Sequence, residues 1–193
     1  MQPVLVLALA AGASLLSAAT AHAGELDLSV GLQATTTEWP DDHGGGPSLD
    51  LGYWITEHVG VKYIGKGHYA VVDDRLMTYL SINAAAHHHI GRVTVTGTAG
   101  VVHQHEETRA VLMDAPFSAV LGIGDGIRHR AGGRAGVSLA VAVFAYSRGE
   151  GYLALDLDAT MFTENTRGPR WMTSVGVSFG FTFDLAKKPA VTP

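Results

Sequence analysis

His103, His105 and Glu107 stand at i, i+2 and i+4. On a strand that spacing puts two imidazoles and a carboxylate on one face. Such a set suits Zn2+ or a similar divalent ion, and three protein ligands would leave a coordination position open. The competing account is a polar, solvated loop, which the irregular pattern of residues 103–116 also fits.

His87-His88-His89 is denser, but consecutive strand residues point to opposite faces, so the three cannot all converge. Placed in turns with His58 and His129, they would crowd one rim of the molecule. Such a rim could bind metal or gain positive charge as pH falls through about 6.5. Turns also accept polar residues with no task attached. Ser118, Ser138, Ser147 and Ser174 supply hydroxyls, but none lies in a His-x-Ser or Gly-x-Ser-x-Gly arrangement, so no catalytic nucleophile is assigned. Gly122-x-Gly124-x-Gly126 has strand spacing and no helix after it, which reads as packing or close approach rather than a phosphate loop. No cofactor is implied.

The elements that must hold these residues are strands. From Trp171 to Phe183 the odd positions read Val175, Val177, Phe179, Phe181 and Phe183, against Ser174, Gly176, Ser178, Gly180 and Thr182. A narrow barrel lumen has room for little beyond such a small face. The bulky face then points outward, with its aromatics towards one end. Leu26, Leu28, Val30, Leu32 and Ala34 alternate in the same way with Asp27, Ser29, Gln33 and Thr35. Leu49, Leu51, Tyr53 and Ile55 face out on a second strand, with Asp50, Gly52 and Trp54 facing in. Val59, Val61 and Tyr63 open a third after the tight turn Thr56-Glu57-His58. Leu76 to Ala84 form a fourth, Val93 to Val101 a fifth, Phe117 to Ile123 a sixth and Val137 to Val143 a seventh. Trp39–Pro47, Val71–Arg75, residues 103–116 and the basic stretch Arg128–Gly133 read as connections.

Tyr152 to Phe162 also alternates, which makes nine strands, whereas a closed single-chain barrel in a bacterial membrane has an even number. Either this segment extends the last loop and the barrel has eight strands, or Thr108 to Met113 hides a tenth. Eight strands leave about 21 residues for each strand and connection and ten leave about 17, against about 9–11 for a spanning strand. The first fit is the more comfortable, and Thr108–Met113 is too short to span. Asp27, Asp50, Lys62, Arg92, Asp156 and Asp158 fall on inward phases, where paired charges would plug the lumen.

Residues 1–23 read as a signal peptide. Val4–Ala19 is apolar or small, interrupted by Gly12, Ser14 and Ser17, and Ala21-His22-Ala23 supplies a cleavage pattern. Residues 24–184 are expected to form the barrel and 185–193 a short tail. The 193-residue chain has no Cys, which excludes a lipid-anchored cysteine and a disulfide framework. Its net charge of −5 gives no support for nucleic-acid binding.

Three stretches carry a family resemblance. Gly52-Tyr53-Trp54-Ile55-Thr56-Glu57-His58-Val59-Gly60-Val61 resembles the strand, tight turn and strand that recur in the small outer-membrane β-barrel family. Leu121–Arg128, running on to Ser138–Val141, resembles its Gly-rich penultimate hairpin, and Val175–Phe181 its closing strand. The family ends on its last aromatic residue, whereas Asp184–Pro193 follow Phe183 here. The resemblance implies an all-β, antiparallel up-and-down transmembrane barrel of eight strands, with ten as the alternative, in the bacterial outer membrane. Its expected partners are outer-membrane lipid, the barrel assembly machinery and an extracellular partner met through loops 38–47, 104–116 and 147–170. A monomer is expected. Family members include structural proteins, adhesins, small pores and a few lipid-modifying enzymes, so fold alone does not choose among them. A soluble periplasmic ligand-binding barrel is a further alternative, which requires the bulky faces to point inward.

Overall fold

The two-residue period carries through eight strands, whose inward faces are mostly small or polar and whose outward faces are mostly apolar. The computed structural model describes residues 24–70, 74–117, 122–123, 126–163 and 168–185. The strands are β1 (Glu25–Thr37), β2 (His43–Trp54), β3 (Val59–Ala70), β4 (Arg75–Ile90), β5 (Val93–Thr108), β6 (Arg128–Tyr146), β7 (Gly149–Phe162) and β8 (Trp171–Asp184), with one short helix, α1 (Arg109–Asp114), after β5. Each strand pairs antiparallel with its neighbour in sequence. β1 closes the ring against β8, from Glu25 opposite Asp184 to Thr37 opposite Met172. The expected signal peptide, residues 1–23, and all of the expected tail except Leu185 lie outside the described residues.

Three short turns, Ile55–His58, Gly91-Arg92 and Ser147-Arg148, share one end with both ends of the closed sheet. In the first, Thr56 Oγ1 accepts from the backbone N–H of His58 (3.2 Å) and of Val59 (3.0 Å). In the second, Gly91 sits at φ +63°, which a residue without Cβ adopts at no steric cost. The strand ends joined by the longer connections 38–42, 71–74, 109–127 and 163–170 lie at the opposite end, called here the loop end.

Most of the large aliphatic side chains face away from the lumen. Leu32 (67%), Ile82 (62%), Val101 (68%) and Val177 (63%) are exposed, while Asp27, Ser29, Gln33 and Thr35 on the opposite face of β1 are buried. That orientation contradicts the soluble ligand-binding alternative. Exposed aromatics flank this apolar belt, with Tyr53, Phe144 and Phe183 towards the turn end and Trp39, Tyr69 and Trp171 towards the loop end. Phe144 reaches its place through a register shift in the β6–β7 ladder between Ala142 and Phe144, and packs 6.1 Å from Phe181.

The strand count is eight, as expected, but neither expected repair of the count of nine holds: Arg109–Asp114 is helical and hides no tenth strand. Tyr152–Phe162 is a full wall strand paired on both sides, not a loop extension. The supernumerary strand is Phe117–Ile123: Phe117 and Ile123 lie in the connection between β5 and β6, and 118–121 fall outside the described residues. The partner of β5 is instead Arg128–Val141. The expected loop at 103–116 is strand as far as Thr108, and the expected turn at Arg128–Gly133 is the start of β6. His43–Pro47 belongs to β2, and His87–His89 lie in β4 rather than in its turn. The expected loop 147–170 contains the tight Ser147-Arg148 turn and all of β7, leaving only 163–170 as a connection at the loop end.

Candidate functional site

Charged side chains occupy the lumen in tiers. Nearest the turn end, Lys62 Nζ lies 2.8 Å from Asp27 Oδ2, and the Tyr152 hydroxyl donates to the same carboxylate. A Cβ at Gly52 would stand 3.0 Å from both Asp27 Cβ and Lys62 Cε, so the glycine leaves the pair its room. Further along, Asp158 receives Lys66 and, at 3.3 Å, Arg134 Nε. A buried apolar cluster follows, Ala70, Met77, Tyr79, Val102, Phe162 and Met172. The Arg130 guanidinium caps it, 3.9 Å above the Phe162 ring. At the loop end Arg75 bridges Asp42 (2.8 Å) and Glu106 (3.4 Å), and Arg128 donates to Glu106. Arg130 donates to Gln104 Oε1 and, at 2.7 Å, to the Pro169 carbonyl.

All six charges expected inward are accounted for. Asp27 and Asp158 are ion-paired with lysines, Asp156 accepts from Ser178 Oγ at 2.7 Å, and Asp50 lines a small cavity beside Lys62. Arg92 instead sits in the Gly91-Arg92 turn and donates to the Ala142 carbonyl at 2.7 Å. The sequence reading missed Lys66, Arg75, Glu106, Arg130 and Arg134. Lys66 and Arg134 do fall on the inward phase of their strands, but Arg75, Glu106 and Arg130 lay in segments taken for connections.

The lumen is not filled uniformly. A vestibule of about 550 Å³ occupies the turn end, lined among others by Glu25, Trp54, His87, Glu150 and Tyr152. Between the two inner ion-pair tiers the free space falls to about 30 Å³, room for a single water. Towards the apolar cluster it is about 10 Å³.

The histidines separate into two groups. His58, His87 and His89 lie at the turn end as expected. His87 stacks on Trp54 at 3.8 Å and engages the Glu57 carbonyl at 2.7 Å, while His89 Nδ1 meets Thr94 Oγ1 at 2.8 Å. His129 is not among them, because β6 begins at Arg128 and carries it to the loop end. There it stands directly opposite His105 on β5, with His103 two residues back on the same face. His103 Nε2 lies 3.2 Å from His129 Nδ1, and one ring nitrogen from each of the three falls within 4.8 Å of the others. Of the expected set His103, His105 and Glu107, the structure thus brings together the two imidazoles and adds His129 in place of Glu107. Glu107 is the next outward position of β5 but does not join this convergence. It is 3% exposed, and its carboxylate oxygens have no hydrogen-bond partner among the described residues.

Gly122 closes over His105. It sits at φ +69°, and a Cβ there would run into the His105 ring. His105 is accordingly 5% exposed, while His103 and His129 are open. Gly122 and Gly126 (φ +82°) are therefore turn glycines and not the strand positions their spacing suggested, and Gly124 lies outside the described residues. Of the serines, Ser174 shares a 3.0 Å hydrogen bond with Thr35, Ser138 lines the vestibule, and Ser118 is outside the described residues.

No family model and no curated protein matches the sequence. The fold does have solved counterparts. Neisserial surface protein A matches with a TM-score of 0.57 at 10% identity, over 84% of this chain and 97% of that one. Ail, the attachment invasion locus protein of Yersinia pestis, solved with the heparin analogue sucrose octasulfate, matches with a TM-score of 0.53 at 15% identity, over 83% and 99%. The outer membrane protein OprG of Pseudomonas aeruginosa matches with a TM-score of 0.51 at 10% identity, over 84% and 97%.

Proposed function

We propose that this chain, which has the fold of the small eight-stranded outer-membrane barrels, is an integral protein of the bacterial outer membrane. Its role in this reading is structural or one of surface recognition, without catalysis and without conduction. The observation that carries the reading is the inversion of the wall. A closed barrel shows leucine, valine and isoleucine outward between two rims of aromatics, and it places its charges in the lumen. In water that outer face would cost on the order of 25 cal/mol for each Å² of apolar surface. In lipid it is the solvated face, and closure leaves no strand edge unpaired.

The closed lumen is supported by the two inner ion-pair tiers, the apolar cluster and the arginine layer above it. A hydrated ion would have to displace buried, paired charges to pass. Recognition then falls to the connections of the loop end, which in this orientation face the exterior. Surface and attachment-invasion proteins share the fold. Outer-membrane lipid and the barrel assembly machinery are the partners this placement requires, and a monomer suffices because the ring closes on itself.

The test is a heat-modifiability gel on detergent-extracted outer membranes, joined to planar-bilayer recordings and lipid A analysis. The expected result is a band that shifts on boiling, found only in the detergent-soluble fraction, with no unitary conductance and unaltered lipid A in an overexpressing strain. Recovery in osmotic-shock fluid without a shift would overturn the membrane placement. Unitary conductance would overturn the closed lumen, and altered lipid A would revive an enzyme.

A further inference from the structure

We propose that His103, His105 and His129 form a binding site for a divalent transition-metal ion of the Zn2+ class, on the outer face of the β5–β6 wall at the loop end. Imidazole is a favoured ligand of such ions, and three neutral imidazoles with an open fourth position make a familiar coordination set. Tetrahedral coordination with Zn–N bonds of about 2.0–2.1 Å separates neighbouring ligand atoms by roughly 3.3 Å. The His103–His129 pair already stands at 3.2 Å. The remaining nitrogens lie within 4.8 Å, so rotation of exposed side chains is enough to close the set.

The placement is rigid where a metal site needs it to be. His105 and His129 are direct partners in an antiparallel ladder, so the backbone fixes their separation. His105 is held by burial beneath Gly122, and the two exposed rings are free to turn towards it. The flanking outward residues across the ladders are Thr78 opposite His105, and Leu80 and Ala131 opposite His103. None of these carries a positive charge that would repel a cation. Two residues further along β5, at the next outward position, Glu107 is buried without a hydrogen-bond partner among the described residues, which a cation beside His105 would offset.

The turn-end histidines make a poorer set. His87 and His89 commit ring nitrogens to the Glu57 carbonyl and to Thr94, and the His58 and His87 rings are 6.5 Å apart. They provide an internal control. The outward face of β5 is apolar as far as Val101, so the site begins where the lipid belt ends. A bound ion there would pin the ends of β5 and β6 together.

The experiment uses the untagged chain without residues 1–23, folded in detergent and titrated with Co2+ as an optical probe. One ligand-field band should saturate at one Co2+ per chain and disappear when Zn2+ is added. His129→Gln and His103→Gln should each weaken binding by more than the roughly 10–100-fold typical of losing an outer-shell partner. His89→Gln should leave the titration unchanged. Each variant is first shown to be folded by its heat-modifiable band. No band at equimolar Co2+, a band that survives in both His129→Gln and His103→Gln, or one that vanishes in His89→Gln would overturn the assignment.

Discussion

His105 stands opposite His129 in the β5–β6 ladder, with the two rings 4.8 Å apart and inclined at 71°. The contact is set by strand register, and a slip of one residue would turn either ring to the other face of the wall. Gly122 covers the His105 ring of this pair. An alanine there meets the His105 ring and must also take φ +69°, a conformation that costs an L-residue about 1 kcal/mol or more. Gly122→Ala should therefore loosen the connection between β5 and β6. Proteinase cleavage within 109–127 should rise about fivefold or more, while the heat-modifiable band of the barrel persists. Unchanged cleavage would mean that Gly122 does not fasten the connection.

Lys62 and Asp27 are both buried and 2.8 Å apart, so removing one partner strands the other charge. Lys62→Met should destabilise the barrel by about 3 kcal/mol, measured by urea unfolding in vesicles. Adding Asp27→Asn should recover most of that loss, because the Tyr152 hydroxyl still has an acceptor in the amide oxygen. If the double variant is no more stable than Lys62→Met alone, the pair is not the source of the loss.

What was legible in the sequence follows from where each strand meets lipid. β1 and β8 alternate clearly because outward positions from Leu26 to Ala34 and from Val175 to Phe183 are apolar, and the inward ones between them are small or polar. The loop ends of β5 and β6 lie beyond that belt, so His103, His105, Glu107 and His129 face outward without hydrophobic constraint. The period-2 signal vanishes although the ladder continues from Val93 opposite Val141 to Glu106 opposite Arg128. His43–Pro47 failed for another reason. A Cβ at Gly44 would run into the Tyr69 carbonyl and one at Gly46 into the Gly67 carbonyl, so the glycines that resemble a loop are what lets β2 approach β3. Two of the three imidazoles of the metal candidate were visible as the His103–His105 spacing on one strand. The third ligand was not, because it depended on the β5–β6 register and on recognising Arg128–Gly133 as strand.

Glu107 is an inexpensive test of that same region. A buried carboxylate without a hydrogen-bond partner costs at least about 1–3 kcal/mol, more when ionised. Glu107→Gln should therefore raise stability by about 1–2 kcal/mol at pH 8 with a chelator present. The midpoint of the gel-shift transition in urea is the readout. A lower midpoint would mean that the carboxylate has a partner the variant has lost.

The absence of cysteine makes orientation directly measurable. Met113, in α1 after β5, is 71% exposed, and Ser147 lies exposed in the tight turn between β6 and β7 at the opposite end. A barrel with its termini in the periplasm puts the first outside the cell and the second inside the envelope. Met113→Cys should then react with a membrane-impermeant maleimide on intact cells. Ser147→Cys should react only after the outer membrane is permeabilised. Neither substitution touches the lumen or the apolar belt, so both variants should keep the heat-modifiable band and give a clean comparison. Labelling of position 147 on intact cells, with 113 protected, would invert the orientation and move the histidine group to the periplasmic side. Equal labelling of both positions before permeabilisation would mean that the barrel is not held in the membrane.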